Sequence, residues 1–194
     1  MTTVGGVEAT GKRADARRNE LALLDAAAEV FVTSGVDAPV REIAARAGVG
    51  MGTIYRHFPT RADLIVAVYR RQVEACVEAG HALLRDRRRR PVGALAAWVD
   101  LFVDFLVTKH GLAAVLQSDR EGFEALHQYF LDRLVPVCDD LLRAAEKAGQ
   151  IRRGVTAYEL MRGIGNLCVG DADDERYDAR RLVALVLAGL RTTG

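Results

Sequence analysis

Residues 40–64 read VREIAARAGVGMGTIYRHFPTRADL, and the fold of the chain follows from this stretch. Val40, Ile43, Ala44 and Ala47 recur at i, i+3, i+4 and i+7, which predicts a short helix with one apolar stripe. Gly48 supplies a residue able to take the left-handed conformation that closes a helix C-terminus. A second short helix over 51–57 turns Ile54 and Phe58 to one side and leaves Thr53, Tyr55, Arg56 and His57 for another surface. Two helices joined by a glycine-containing turn are the helix-turn-helix plan, in which the second helix enters a DNA major groove.

Upstream, residues 17–34 read RRNELALLDAAAEVFVTS. Leu24, Ala27, Ala28, Phe31 and Val32 form one helical face, with Asp25 and Glu29 turned outward. This face is the natural lid for the helical pair and completes a three-helix core. Residues 1–16 read as a mobile tail. Lys12, Arg13, Arg17 and Arg18 precede or open the helix, and a solvated basic tail and a phosphate or minor-groove contact explain them equally well.

The string 40–64, with Tyr55-Arg56-His57-Phe58 followed by Pro59, closely resembles the DNA-binding domain of the TetR family of bacterial transcriptional regulators. The resemblance covers residues 17–66 with specific motifs, and beyond them it is architectural. Two positions depart from the family pattern. Pro39 stands where a capping Ser or Thr is usual, and a first helical turn tolerates proline. Gly50 replaces a serine cap at the start of the second helix, at a typical cost of a few tenths of a kcal/mol.

The resemblance implies that Tyr55 and His57 contact the DNA backbone, and that Arg41 reaches the groove or a phosphate. It also implies that Met51, Thr53 and Arg56 lie among base-reading positions. The chemistry agrees, since Tyr, Thr and His make short polar contacts to phosphate and Arg binds guanine O6 and N7 bidentately. Arg61, at the start of the next helix, suits a flanking phosphate. Structural duties compete with these: Ile54 and Phe58 are core, and Tyr55 could cover that core.

Composition bounds the alternatives. The chain has 194 residues, half of them hydrophobic and 27% charged, as expected of a soluble globular protein with a sizeable core. Nothing resembles a membrane span or a secretory signal, so a cytoplasmic location is expected. Net charge is only +1, so any DNA affinity must come from where charges sit rather than from their sum. Cys76, Cys138 and Cys168 are widely spaced without CxxC or a histidine at ligand spacing, which points to buried structural thiols with no metal and no cofactor.

After Pro59, Thr60 and Asp63 form a T-x-x-D cap for a long helix over residues 61–84, whose inward positions include Leu64, Ile65, Val68, Gln72, Ala75 and Ala79. Residues 67–90 then read as a connector helix and basic linker. The linker is the arginine run RDRRRR at 85–90, a solvated segment rather than a DNA contact.

Residues 91–194 show only helical periods, so the fold class is all-α: an N-terminal helix-turn-helix domain followed by a C-terminal helical domain. One helix ends near His110 and is followed by a short apolar segment at 112–117. The next runs over 121–149 and should kink at Pro136. Thr156 and Glu159 make a capping box for another helix, and the acidic loop 171–175 is read as solvated. In the last helix, residues 179–191, Leu182, Val183, Leu185, Val186, Leu187 and Leu190 cover most of the circumference. Such a helix needs burial on more than one side, which predicts packing inward and against a second copy in a homodimer, with central burial within a monomer as the alternative.

The resemblance implies the same dimer, through the last two long helices, with Leu160, Ile164, Leu167, Leu182, Val186 and Leu190 as interface candidates. It also implies an effector pocket in this domain. Trp98, Phe102, Phe105, His110, Phe123, His127, Tyr129, Phe130 and Met161 could line one, although residues of this type at helical spacing are commonly core. His127 and Tyr129 stand out because a polar tip in an apolar bundle needs a partner. The expected protein is a repressor released from a palindromic operator by a small hydrophobic effector. A DNA-binding regulator without an effector is the alternative. An all-helical enzyme or carrier lacks any nucleophile–base pair, paired carboxylates or phosphate loop in its support.

Overall fold

The computed structural model describes the backbone of residues 5–115, 120–168 and 176–192, and side chains within 17–106, 122, 124–168 and 176–192. Among these residues there are eight α-helices and no strand: α1 (Gly5–Ser34), α2 (Val40–Ala47), α3 (Met51–His57), α4 (Arg61–Arg85), α5 (Pro91–Val115), α6 (Arg120–Lys147), α7 (Ala157–Leu167) and α8 (Ala179–Leu190). The chain divides into two compact units, Met1–Arg71 and Gln72–Gly194, so the division falls inside α4.

In the first unit, α1 begins at Gly5. The side chains of Lys12 and Arg13 lie outside the described residues. The buried face of α1 is Leu23, Leu24, Ala27, Val30 and Phe31, while Val32, expected on it, is 61% exposed and Ala28 is half-buried. Both sets obey the same helical spacing and share Leu24, Ala27 and Phe31, with Leu23 and Val30 in place of Ala28 and Val32. Packing against α2, which the period alone does not locate, selects between them.

The α2 helix buries Ile43 and Ala44. Pro39 is its N-cap, just outside the first turn, with φ −60° and ψ 139° and no side-chain hydrogen bond. Gly48 ends it at φ 67°, and the Val49 N–H reaches back to the Ala44 carbonyl at 3.0 Å, which satisfies a carbonyl the helix end would orphan. Gly50 caps α3 in an extended conformation. Ile54 and Phe58 turn inward, 1% and 6% exposed. The T-x-x-D cap of α4 forms as expected: Thr60 N–H donates to Asp63 Oδ2 at 3.0 Å, and Asp63 N–H returns to Thr60 Oγ1 at 3.1 Å.

In the second unit, α5 passes through positions 110–111 without ending, and residues 116–119, the end of the expected apolar segment, lie outside the described residues. The acidic loop 171–175 also lies outside them. Helix α6 runs unbroken through Pro136, whose ring is exposed. It buries Leu126, Phe130, Leu134, Val137, Cys138, Leu141, Leu142 and Ala145. The capping box of α7 is complete, with Glu159 N–H donating to Thr156 Oγ1 and Thr156 N–H to Glu159 Oε2.

A close approach in this unit is at Gly80 on α4. A Cβ built there would overlap Cγ1 of Val137 on α6 and lie 3.0 Å from Nε1 of Trp98 on α5. The absence of a side chain lets the indole reach α4, where Trp98 Nε1–H donates to the carbonyl of Cys76 at 3.0 Å. Trp98 is thereby fully buried with its one polar group satisfied. Gly80→Ala is therefore expected to destabilise the protein by about 1–3 kcal/mol, as overpacking does, measured by chemical denaturation. Adding Val137→Ala should recover part of the loss, and a neutral Gly80→Ala would contradict this packing.

Candidate nucleic-acid interface and its coupling helix

Helix α3 is short, and the one residue it commits to the core is Ile54. Everything else on it is available: Met51 is 50% exposed, Tyr55 49%, and Thr53, Arg56 and His57 are exposed. Arg41 on α2 is exposed as well. Two cations, an imidazole, a phenol and a hydroxyl thus stand outside a three-helix core fixed by Ile43, Ile54, Phe58 and Phe31. The other charges nearby are spent internally. Arg46 is bound by Glu29, and Glu42 accepts a 2.6 Å hydrogen bond from Ser34 Oγ. What α3 presents is a small polar and cationic surface on a rigid support, suited to phosphates and base edges.

Arg61, expected to meet a flanking phosphate, makes contacts within the chain. Its guanidinium is half-buried and donates to the carbonyls of Val36 and Ala38, the latter at 2.8 Å. These carbonyls belong to the turn before α2. Arg61 therefore ties the start of α4 to the entry of the helix-turn-helix, and acts on the reading surface by position. A planar fork with several donors suits two carbonyls at once, which an ammonium on a flexible stem would serve poorly.

In the second unit, Trp98, Phe102, Phe105, Phe130 and Met161 are all buried. Their rings form a continuous stack, with Trp98–Phe102 centroids 5.5 Å apart, Phe102–Phe130 6.0 Å and Phe105–Phe130 5.6 Å. His127 joins its edge, 5.8 Å from Phe130. The side chains of His110 and Phe123 lie outside the described residues. Tyr129 does not point into this stack. It is half-buried, and its hydroxyl donates to Glu74 Oε1 on α4 at 2.6 Å.

Glu74 is the feature the sequence did not reveal. It also receives a fork from Arg133, with Nε to Oε1 at 2.7 Å and Nη2 to Oε2 at 2.5 Å. Tyr129 and Arg133 sit at i and i+4 of α6, on one face, so their partnership was open to inference once a carboxylate was known to lie opposite. Which carboxylate lay there depended on how α4 and α6 are set against each other. The result is a polar latch between α4 and the helix that carries Phe130.

Of the dimer candidates, Leu160, Ile164 and Leu190 are buried within the chain itself, while Leu167 and Leu182 are half-buried and Val186 is 38% exposed. Leu185 beside it is 61% exposed and Tyr158 on α7 52%. All three cysteines are buried free thiols. Burial pushes Cys76 up to about 11 and Cys138 up to about 12, so neither is a thiolate at neutral pH. Among the described residues, no cluster of side chains could hold a metal ion, and no helix is long and apolar enough to cross a membrane.

The Arg133 hydrogen bonds hold the Glu74 carboxyl below its ordinary value of 4.5, against a smaller opposing effect of burial. A carboxyl whose pKa falls on folding stabilises the fold above its unfolded value and loses that contribution as pH drops through the lowered one. Both partners are partly exposed, so solvent screening limits the latch to about 1 kcal/mol, or about 2–4 °C in Tm. Glu74→Gln is expected to lower Tm by that much at pH 7. The gap from wild type should close as both are taken to pH 3, and a gap independent of pH would mean that the ion pair is not its source.

Comparison with known proteins agrees with this geometry. Residues 23–68 match the family described as bacterial regulatory proteins, tetR family, and residues 90–192 match the transcriptional regulator SbtR-like C-terminal domain. Among curated relatives, the HTH-type transcriptional activator FasR of Mycolicibacterium smegmatis is 41% identical over 110 residues, 54% of this chain and 48% of that protein. The match thus spans about half the length of FasR. The fatty acid metabolism regulator protein of Bacillus subtilis is 26% identical over 87% of this chain and 90% of its own. Among solved structures, a TetR transcriptional regulator from Streptomyces coelicolor superposes with a TM-score of 0.73 at 36% identity, covering 89% of this chain and 98% of that one. A FadR from Bacillus subtilis solved in complex with stearoyl-CoA shares the fold, with a TM-score of 0.60 at 22% identity over 89% and 98% of the two chains. A polar reading helix on a glycine-turned helical pair, joined to a second all-helical unit that matches a regulator's C-terminal domain over more than half of the chain, places this protein in the TetR family of bacterial transcriptional regulators.

Proposed function

We propose that this regulator is a homodimeric repressor whose α3 helices read the half-sites of a palindromic operator, and which is released by a ligand with a long apolar chain. The observation that carries the DNA reading is the exposed set Arg41, Thr53, Tyr55, Arg56 and His57 on a core that leaves them no structural duty. Specificity rests on few contacts, since Arg56 and Arg41 are the cations that face outward from α3 and α2 without a partner there.

The ligand class rests on the apolar ring stack of the second unit and on the relatives. The B. subtilis relative is named a fatty acid metabolism regulator, and a FadR of this fold holds stearoyl-CoA. Packing supports release by the ligand. Rings in mutual contact leave an acyl chain to enter by separating α5 from α6, so the ligand favours a conformation other than the closed one. If the closed form is the one that fits the operator, ligand and DNA oppose each other with a reciprocal coupling energy. The Glu74 latch lies between the ring-bearing α6 and α4, and α4 continues without a break to Arg61, the brace of the helix-turn-helix. A second reading, activation, is favoured by the name of FasR, an activator.

The exposed apolar residues Tyr158, Leu185 and Val186, with half-buried Leu167 and Leu182, support a dimer face on α7 and α8. Leu185→Glu with Val186→Glu should convert the dimer to a monomer in light scattering, and persistence of the dimer would put the interface elsewhere.

Genome-wide mapping of bound sites followed by fluorescence anisotropy tests the whole reading. A palindrome bound tightly and released by stearoyl-CoA is expected; weak, salt-sensitive binding with no palindrome would refute it. Tyr55→Ala and Arg41→Ala are each expected to cost about 1–3 kcal/mol of operator affinity with unchanged thermal melting. Wild-type affinity in both folded variants would move the reading surface away from α3.

A further inference from the structure

The positive charge of this chain is concentrated away from α2 and α3. Three segments of the second unit, residues 86–93, 146–153 and 190–192, hold eight cations (Arg87, Arg88, Arg89, Arg90, Lys147, Arg152, Arg153 and Arg191) against two carboxylates, Asp86 and Glu146. That is a local charge of +6 in a chain whose total is +1. All eight side chains are exposed, and among the described residues none of them forms a salt bridge.

The three segments are not merely near in sequence pattern; hydrogen bonds hold them together. Ile151 and Arg191 form an isolated antiparallel bridge, and Arg152 N–H donates to the Leu190 carbonyl at 2.8 Å. Thr192 Oγ1–H donates to the Gly149 carbonyl at 2.8 Å, and the Val92 N–H donates to Gln150 Oε1 at 2.9 Å. This clasp frames a cleft of 530 Å³ whose walls include Arg90, Gly93, Gly149, Gln150, Arg191 and Thr192. The amides at the start of α5 are already used, by Gln150 for Val92 and by the Arg90 carbonyl for Gly93. The attraction for a ligand therefore comes from guanidinium groups and not from a free helix end.

From this we infer that the clasp cleft binds a small molecule carrying two or more phosphate groups, between Arg90 and Arg191. Like charges crowded without counter-ions raise the energy of the free protein, and a polyanion relieves that repulsion. Guanidinium forks bind phosphate bidentately, which favours phosphates over spherical anions. The volume lies in the range of small-molecule sites, about 300–1,000 Å³, and the site is concave instead of a continuous stripe, which favours a compact ligand over duplex DNA. The inference stands apart from whatever enters the ring stack.

Titration calorimetry on the full chain with inorganic tripolyphosphate, then with ADP, tests it. One site per chain is expected, with affinity falling as salt rises and dropping about tenfold or more in Arg90→Gln/Arg191→Gln. Circular dichroism and operator affinity of that double variant should match wild type, because its backbone hydrogen bonds are retained. Absence of binding, or binding that the double variant retains in full, would overturn the site. So would an equal loss of operator affinity, or tighter capture of phosphatidylserine vesicles than of tripolyphosphate, since these would assign the patch to DNA or to a membrane surface.

Discussion

One apolar stripe along α4 serves two cores, and the rest of the molecule is arranged by it. Leu64, Ile65, Val68 and Tyr69 bury in the first unit, and Val73, Cys76, Val77 and Gly80 bury in the second. The spacing is the ordinary helical repeat of paired positions, carried without interruption across the division of the chain. Each half makes a side-chain to backbone contact: Arg61 to the turn before α2, and the Trp98 indole to the Cys76 carbonyl.

The second half of α4 is held by two unlike contacts. At Gly80 the approach is steric, with no atom left to compress. At Glu74 it is electrostatic, partly exposed and worth little in stability. A contact that can be broken at small cost beside one that cannot is the arrangement expected of a pivot and a catch. The stack of Trp98, Phe102, Phe105 and Phe130 adjoins both, through Trp98 at Gly80 and through α6 at Glu74. The stack and the catch are therefore joined through α6, which carries Phe130 of the one and Tyr129 and Arg133 of the other.

The two charged surfaces divide the work differently from what total charge suggests. Around α3 the cations are few, and neighbours such as Arg46 are neutralised by Glu29, which leaves a sparse and specific face. At the clasp the cations are many and unneutralised, which suits affinity for a multiply charged ligand more than discrimination among sequences.

Local chemistry determined much of this protein directly. The glycine C-cap at Gly48, the T-x-x-D cap of α4 and the capping box of α7 were readable because each is set within a few residues, and the exposed set on α3 followed from Ile54 and Phe58 alone. What the sequence left open needed contacts between distant segments. It put Ala28 and Val32 on the α1 face where Leu23 and Val30 are buried, did not show the two carbonyls that Arg61 holds, and named no partner for Tyr129, which is Glu74. It read the arginine run as a solvated linker, as it is, but did not show that Arg191, about a hundred positions away, lines the same cleft as Arg90. Periodicity defines which side of a helix is apolar; only tertiary packing decides which neighbour that side meets, and so where each long polar side chain finds its partner.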